Sequence, residues 1–260
     1  MNDTRNGHYA LETAGLRRCF GALAAVDGID LKVPRGSLYG FLGPNGAGKS
    51  TTIRCLTGLL RPTSGSMRIL GFDPLVDSVQ VKRKVGVMPE DLALFDRLTG
   101  SETLEFIGRV HGLDRETLNS RSGELLSLMN LLEAEDTLVT DYSHGMRKKL
   151  ALAAALLHAP RLLFLDEPFE GIDAVASRQI KDLLLQFVKG GGTVFLTSHI
   201  LEIVERLSDH VGVIHRGRLV AQGALAELRA GVGGRTLEEM FLGMVGAGDA
   251  GAPTLGWLSG

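Results

Sequence analysis

The chain has 260 residues, a formal net charge of −2, and 44% hydrophobic and 22% charged residues, which is ordinary for a globular protein with a substantial core. The near-neutral charge argues against a general nucleic-acid or anionic-membrane binder. Residues 1–8 lack the apolar segment of a signal peptide. The longest apolar run, residues 150–157, is far shorter than the roughly 20 residues that span a bilayer, so we expect the chain not to cross a membrane by itself. Cys19 and Cys55 form no metal-binding pair, and we expect free, reduced thiols in the cytosol.

The N-terminal part of the chain has the alternating pattern of paired strands. One strand is predicted within residues 11–18 and another within residues 25–33, with a turn at residues 34–36. Phe20 is expected in the loop between them. An aromatic residue at this position is either part of the core or, given its spacing ahead of the next motif, stacked on an adenine ring.

A glycine-rich segment follows that fits the phosphate-loop pattern G-x-x-x-x-G-K-[ST] without substitution. A short apolar strand over residues 37–42 precedes it. A helix over residues 52–60 follows, with Ile53, Leu56, Leu59 and Leu60 predicted on one side. The segment consists of Gly43, Pro44, Asn45, Gly46, Ala47, Gly48, Lys49, Ser50 and Thr51.

These residue types suit a bound di- or triphosphate. Glycines let backbone N–H groups turn inward around the phosphates, and the start of the helix adds its own N–H groups and positive dipole end. Lys49 is placed to reach the β- and γ-phosphates, and the Ser50 hydroxyl to ligate Mg²⁺. The alternative, a glycine-rich turn that binds nothing, rarely preserves the whole motif in this setting.

Between this motif and residue 158 the predicted secondary structure changes from strands to helices. Strands are predicted over residues 66–70 and 84–88, separated by a polar helix or loop. Helical periodicity then dominates. One helix is predicted to start at Ser101, with Thr99 as its cap, and two more are predicted over residues 116–132 and 146–157. We interpret this region as a helical lobe inserted into an α/β core.

The α/β pattern resumes with an apolar strand that ends in Asp166 and Glu167. A helix over residues 174–188, a strand over 193–197 and then His199 follow. Beyond a helix through Leu207, strands are predicted over 211–215 and 218–222, and short helices over 225–228 and 237–242. The Gly- and Ala-rich residues 246–260 are expected to be disordered.

The acidic pair and the histidine fall where open α/β sheets bind ligands. Asp166 is expected to hold Mg²⁺, Glu167 to take a proton from attacking water, and His199 to contact the γ-phosphate. The alternatives without a functional role are an exposed acidic strand end for Asp166 and Glu167, and an ordinary surface histidine for His199.

The segment around Ser143 has two interpretations. It is either a helix cap followed by a solvated basic face, or a second anion site at a helix N-terminus. Since the phosphate loop already accounts for one nucleotide, the second site would serve a nucleotide held by another chain.

Together these motifs resemble the nucleotide-binding subunits of ATP-binding-cassette transporters over residues 9–243. The phosphate loop matches the family's Walker A motif, residues 162–168 match Walker B, and Phe20 matches the aromatic A-loop position. Residues 171–173 match the D-loop, residues 197–199 the switch histidine, and residues 143–146 take the place of the signature.

The resemblance implies an ATPase with ATP and Mg²⁺ as cofactors, in which two subunits, identical or different, close head to tail around two ATP molecules. Ser143, Gly145 and Asp173 would then act across the dimer. Glu167, His199 and Glu90 would be catalytic, and Ser50, Asp166 and Glu90 would hold Mg²⁺. A separate membrane-spanning subunit would dock on residues 90–113, at the cytoplasmic face of the inner membrane. No nucleic acid is expected.

The sequence departs from the family pattern at two motifs. His144 replaces a glycine and Tyr142 a leucine in the signature, and Glu90 stands where the Q-loop has glutamine. Glu90 keeps an oxygen for Mg²⁺ or water but adds negative charge near the phosphates. This combination looks most like the bacterial exporters of drugs and antibiotics.

The predicted fold is an α/β P-loop NTPase core: a mostly parallel sheet with helices on both faces and an N-terminal antiparallel subdomain. Residues 1–89 and 160–245 would form this core, and residues 90–159 the inserted helical subdomain. The main alternative function is a soluble cassette ATPase acting on ribosomes or nucleic acid, although no second cassette or coiled-coil insertion is visible. A P-loop kinase or GTPase would lack the signature, and a GTPase base-reading loop is not found.

Overall fold

A computed structural model of the protein describes residues 7–231 and the isolated positions 239, 241 and 243. The predicted helix over residues 237–242 and the tail from residue 246 lie outside the described residues, apart from those isolated positions. Among the described residues, no helix combines the length and apolar character required to cross a bilayer.

The larger sheet has six strands. They are β4 (Leu38–Leu42), β6 (Val85–Met88), β7 (Leu162–Asp166), β8 (Thr193–Ser198), β9 (His210–His215) and β10 (Arg218–Ala224). Their spatial order is β10-β9-β4-β8-β7-β6. All neighbours are parallel except the β9–β10 pair at one edge. The strand before the phosphate loop therefore lies between the strands that precede His199 and Arg216, inside the sheet.

The smaller sheet is antiparallel and comes from the N-terminal part of the chain. Its long strand β1 (Tyr9–Phe20) pairs with β2 (Leu23–Ile29), β3 (Lys32–Pro34) and β5 (Ser64–Ile69). This arrangement confirms the predicted antiparallel subdomain.

The helices fall into two groups, one around the sheets and one in the segment between β6 and β7. Around the sheets lie α1 (Lys49–Leu56), α2 (Ser78–Lys82), α6 (Ala174–Lys189), α7 (Leu201–Leu207) and α8 (Leu225–Gly231). Between β6 and β7 the chain forms α3 (Gly100–Val110), α4 (Arg115–Leu128) and α5 (His144–Leu156), with two short 3₁₀ helices, Leu132–Ala134 and Val139–Asp141. Thr99 caps α3, as predicted, and the structure adds a complete capping box with Glu102.

The central strands of the larger sheet, β4, β7 and β8, are buried on both faces. Along β7, Leu162 and Phe164 pack toward the antiparallel sheet and α1, whereas Leu163 and Leu165 pack toward the helices of the inserted region. Side chains that alternate between two cores explain why this strand reads as an uninterrupted apolar run. The acidic residues at the C-terminal end of β7 lie at the carboxyl edge of the sheet.

The structure corrects four details of the sequence analysis. Phe20 ends strand β1 instead of lying in a loop, and Pro34 belongs to β3 instead of a turn. The strand predicted through residue 33 is interrupted after Ile29. Helix α1 ends at Leu56, so Leu59 does not share its buried side and is 68% exposed.

Candidate nucleotide-binding site

The phosphate loop connects the fully buried strand β4 to helix α1. Helix α1 starts at Lys49 with Gly48 as its N-cap residue, and no side chain among the described residues caps it. The first N–H groups of the helix are therefore available to an anion, together with the positive end of the helix dipole.

Two of the loop glycines are required by close packing within the chain. A Cβ on Gly43 would lie 2.4 Å from the carbonyl oxygen of Ile214, and one on Gly48 would lie 2.3 Å from that of Ala25. Gly48 also has φ 112°, a conformation that disfavours any side chain. Residues with side chains would force the loop away from the neighbouring backbone and change its shape.

Lys49 is buried, with 6% of its surface exposed. Its Nζ donates to the carbonyl oxygens of Gly43, at 2.8 Å, and Pro44, at 3.4 Å, so the side chain folds back over the loop. The same nitrogen lies 3.2 Å from Glu167 Oε1. The lysine thus joins the loop to the acidic end of β7.

Asp166 and Glu167 are both buried at that strand end. The Thr197 hydroxyl on β8 donates to Asp166 Oδ1 and accepts the N–H of Glu167 at 3.0 Å. Burial raises the pKa of Asp166, and hydrogen bonds from Thr197 and Ser50 oppose that rise. One threonine therefore orients both acidic residues.

The carboxylate of Glu167 lies between two basic groups. Its Oε2 is 3.0 Å from His199 Nδ1 and accepts the backbone N–H of His199 at 3.3 Å, while Oε1 faces Lys49. Although Oε1 forms an ion pair with Lys49, it accepts no hydrogen bond from the residues that the structure describes. Glu167 has φ 49°, a left-handed conformation that costs on the order of 1–3 kcal/mol for a non-glycine residue.

Ser50, at the start of α1, completes this polar cluster. Its Oγ donates to Glu90 Oε2, just beyond the end of β6, at 3.3 Å, and Ser50 lies near enough to Asp166 to lower the pKa of that carboxyl. The structure thus brings the phosphate loop, Glu90, Asp166, Glu167 and His199 together at the carboxyl edge of the sheet. A cavity of about 390 Å³ lies there. It is lined by Glu90, Glu167, His199, Ala25, Glu170 and residues of the phosphate loop, and Asp166 lies behind it.

The residues predicted to act on a second chain's nucleotide lie outside this cavity lining. Ser143 is exposed and caps α5, and its Oγ accepts the N–H of Met146 at 3.2 Å. Asp173 caps α6 by accepting the N–H groups of Val175 and Ala176, and these backbone hydrogen bonds lower its pKa. Gly145 lies in the first turn of α5.

The two unusual signature residues have definite positions. Tyr142 is buried, and its hydroxyl donates to the carbonyl oxygen of Ala134 at 2.7 Å. The His144 ring lies against Gly171, where an added Cβ would come within 3.2 Å of Cδ2 and Nε2. Tyr142 therefore anchors the segment before α5 to the helical region.

Phe20 does not belong to the core, because 47% of its surface is exposed and the Arg18 guanidinium lies 4.5 Å from its ring centroid. This finding overturns the core alternative for Phe20. The adenine-stacking role stays a prediction.

Sequence reasoning missed the contribution of Lys148. One of the two interpretations of this segment places its basic residues on a solvated face, yet Lys148 is buried and its Nζ donates to the carbonyl oxygens of Glu167 and Glu170. The helical spacing held a signal, because Lys148 lies three and four residues before the buried Ala151 and Leu152.

Comparisons with known proteins agree with this geometry. The sequence model of the ABC transporter family matches residues 26–170, more than half of the chain. The daunorubicin/doxorubicin resistance ATP-binding protein DrrA of Streptomyces peucetius is 42% identical over 228 residues, which cover 88% of this chain and 69% of that protein. The bacitracin transport ATP-binding protein BcrA of Bacillus licheniformis is 37% identical over 213 residues, 82% of this chain and 69% of that protein.

A solved ATP-binding subunit of an ABC transporter superposes with a TM-score of 0.85 and 30% identity, covering 90% of this chain and 99% of that one. The fold, the phosphate loop and the relatives therefore lead to one assignment. The chain belongs to the ABC transporter family, as an ATP-binding subunit of the kind that hydrolyses ATP to power transport through a separate membrane partner.

Proposed function

We propose that the chain powers export of a hydrophobic compound, with Glu167 as the general base that activates water for ATP hydrolysis. The observation that carries the catalytic part is the position of the Glu167 carboxylate between Lys49 and His199. The names of the relatives, which refer to drug resistance and bacitracin transport, support export as the direction.

The hydrolytic step follows from these contacts. ATP phosphates that enter the loop attract Lys49, which exchanges its ion pair with Glu167 for the β- and γ-phosphates. Oε1 of Glu167 then accepts a proton from the attacking water. His199 holds Oε2 and contacts the γ-phosphate, so that the base, the water and the phosphorus atom keep one orientation.

Ser50, Asp166 and Glu90 would hold Mg²⁺. All three offer hard oxygen donors. The Ser50 hydroxyl donates to Glu90 and also lies near the Asp166 carboxyl, whose pKa it lowers. In the described part of the chain no three His, Cys, Asp or Glu side chains group as a metal site. A site with one hydroxyl and two carboxylates suits Mg²⁺, which keeps several waters and takes phosphate oxygens as its remaining ligands. When bound, the ion neutralises charge that develops on the β- and γ-phosphates.

Two copies of the chain, or this chain and a related subunit, would close head to tail. Ser143 and Gly145 lie at an exposed helix N-terminus away from the cavity in their own chain, and this placement supports contact with the partner's γ-phosphate. The hydroxyl of Ser143 can keep its bond to the Met146 N–H and still donate its proton to a phosphate oxygen. Asp173 and the exposed Phe20 would complete the two nucleotide sites.

The membrane-spanning partner would dock in an apolar groove between the core and residues 90–159, which we propose as the inserted subdomain. The groove has a volume of about 600 Å³. Val79, Phe106 and Val110 line it, and their exposed fractions are 58%, 47% and 68%. Exposed apolar side chains grouped in this way favour a protein contact, which would place the chain at the cytoplasmic face of the inner membrane.

The experiment that tests this proposal is transport of daunorubicin into inside-out vesicles that contain the chain and its co-purified membrane partner. We expect Glu167→Gln to bind ATP but to reduce ATP hydrolysis and transport by about a hundredfold or more, because general bases contribute 10²–10⁴. It should also accumulate as an ATP-bound dimer in light scattering. The control is Glu202→Gln, which changes an exposed glutamate on α7. Normal turnover in Glu167→Gln would show that Glu167 is not the base.

A further inference from the structure

Lys148 occupies an unusual position for a lysine. It lies in the second turn of α5, with only 3% of its surface exposed. Its Nζ donates to the carbonyl oxygen of Glu167 at 2.8 Å and to that of Glu170. Both acceptors belong to the backbone segment that follows β7, so the lysine connects the signature helix to the segment that begins with the general base.

Lys148 is a buried amine with three carboxylates near it, which oppose part of the effect of burial. Burial lowers the pKa of Lys148, while the nearby carboxylates of Glu170, Glu167 and Glu90 raise it. A methionine or leucine would fill a buried position on α5 without the cost of desolvating a charge. The lysine therefore contributes something that an apolar side chain would not, namely its hydrogen bonds to the backbone of Glu167 and Glu170.

The backbone of Glu167 needs such support. At φ 49° the residue lies in the left-handed region, which a glutamate adopts only when its surroundings hold it there. Thr197 Oγ1 accepts its N–H, and Lys148 binds its carbonyl oxygen. The peptide groups on both sides of the Glu167 Cα are thus fixed, and they set the direction in which the carboxylate leaves the chain.

We propose that Lys148 is a positioning residue for ATP hydrolysis, which holds the backbone of Glu167 in the left-handed conformation that aims its carboxylate between Lys49 and His199. The inference rests on the proposed role of Glu167 as base. Lys148 does not line the nucleotide cavity, and its hydrogen bonds within the described part of the chain go to the backbone of Glu167 and Glu170. Its effect is therefore on the chemical step and not on the capture of ATP.

The second contact of α5 with the same segment agrees with this role. The His144 ring lies against Gly171, one turn of helix before Lys148. The segment from Glu167 to Gly171 is therefore tied to the first two turns of α5 at two points. A displacement of the signature helix would move the backbone of the base with it.

The test compares Lys148→Met with Lys148→Arg in the full chain, measuring kcat, KM and the dissociation constant of a fluorescent ATP analogue. We expect Lys148→Met to lower kcat by about tenfold or more, with KM and nucleotide affinity changed less than about twofold. Lys148→Arg keeps the charge and N–H donors and should recover most of kcat. The matched control is Lys189→Met at the exposed end of α6, which should leave kcat unchanged.

Several outcomes would overturn the inference. An unchanged kcat in Lys148→Met would do so, and so would a raised KM at constant kcat, because that pattern indicates a binding defect. If Lys148→Met does not fold, Lys148→Gln takes its place, because its uncharged and shorter side chain should not reach both carbonyl oxygens. A kcat equal to wild type in that variant would also contradict the positioning role, whereas a reduced kcat with normal affinity supports it.

Glu167→Gln separates this inference from the proposed function. If that variant keeps normal turnover, the base assignment fails and the role of Lys148 fails with it. If Glu167→Gln abolishes turnover but Lys148→Met does not reduce kcat, only the positioning role is wrong. Adding Lys148→Met to Glu167→Gln should leave the ATP-bound dimer intact; loss of that dimer would show that Lys148 acts on closure and overturn the inference.

Discussion

Two helices of this chain begin at proposed phosphate-binding sites, and their N-termini are built differently. Helix α1 starts after Gly48 without a capping side chain from the described part of the chain, whereas α5 starts after Ser143, whose hydroxyl accepts the Met146 N–H. Lys49 at the first end is buried, and Ser143 at the second is exposed. The first N-terminus leaves its donors open inside a cavity, and the second satisfies one of them at the surface.

The glycines at the two ends differ in the same way. A Cβ on Gly48 would collide with the carbonyl oxygen of Ala25, so the packing of this chain alone demands a glycine there. A Cβ on Gly145 would meet only Ser143 Oγ, at 4.0 Å, among the described atoms. Packing within the described part of the chain requires a glycine at the α1 end but not at Gly145, which agrees with the proposal that the α5 end meets a second chain. Substitutions at the two ends should therefore separate binding of ATP from its use.

The largest change in nucleotide binding is expected at the α1 end, from Lys49→Ala. Loss of a charge-assisted hydrogen bond to phosphate costs about 1.5–3 kcal/mol, so affinity for ATP should fall roughly tenfold to a hundredfold. Titration of a fluorescent ATP analogue against the isolated chain measures this. Lys32→Ala, at an exposed position on β3, is the control. Unchanged affinity in Lys49→Ala would refute the phosphate-loop assignment.

The same contrast explains what the sequence could predict. The phosphate loop is one continuous segment whose glycines, lysine and flanking strand and helix are all local, so its geometry follows from the motif. The strand end at Asp166 is also readable, because a run of apolar residues that stops at two carboxylates marks the edge of a buried strand. Those features and the capping of α3 and α5 could be derived from neighbouring residues.

Contacts between distant segments could not be derived in this way. The pairing of Lys49 with Glu167 and the bridge of Thr197 between two acidic residues depend on which strands are neighbours in the sheet. The burial of Lys148 is not predictable from its neighbours, because a basic residue is usually solvated and only the position of the segment after β7 gives its ammonium group acceptors. Local pattern decides the elements, and sheet order decides which polar side chains meet.

A smaller change, confined to turnover, is expected at the α5 end from Ser143→Arg. The exposed arginine would obstruct closure onto a second chain, so ATP hydrolysis should fall by about tenfold or more while the isolated chain binds ATP normally. Phosphate release and analogue titration, made on the same preparation, distinguish the two effects. Wild-type hydrolysis in Ser143→Arg would exclude a role for Ser143 in a neighbouring chain's site.

The smallest and most specific effect is expected from Gly145→Ala. Within this chain the new methyl group has space, and alanine favours a helix over glycine by roughly 0.5–1 kcal/mol, so the thermal midpoint should rise by about 1–3 °C. ATP affinity of the isolated chain should not change. Hydrolysis should nevertheless fall about threefold to tenfold, since the methyl group would stand between the α5 N–H groups and the partner's γ-phosphate. Ala155→Gly, at a buried position in the same helix, is the converse control: it should lower the midpoint and leave hydrolysis per folded molecule intact. A variant of Gly145 that is both stabilised and fully active would mean that α5 does not approach a phosphate in a second chain.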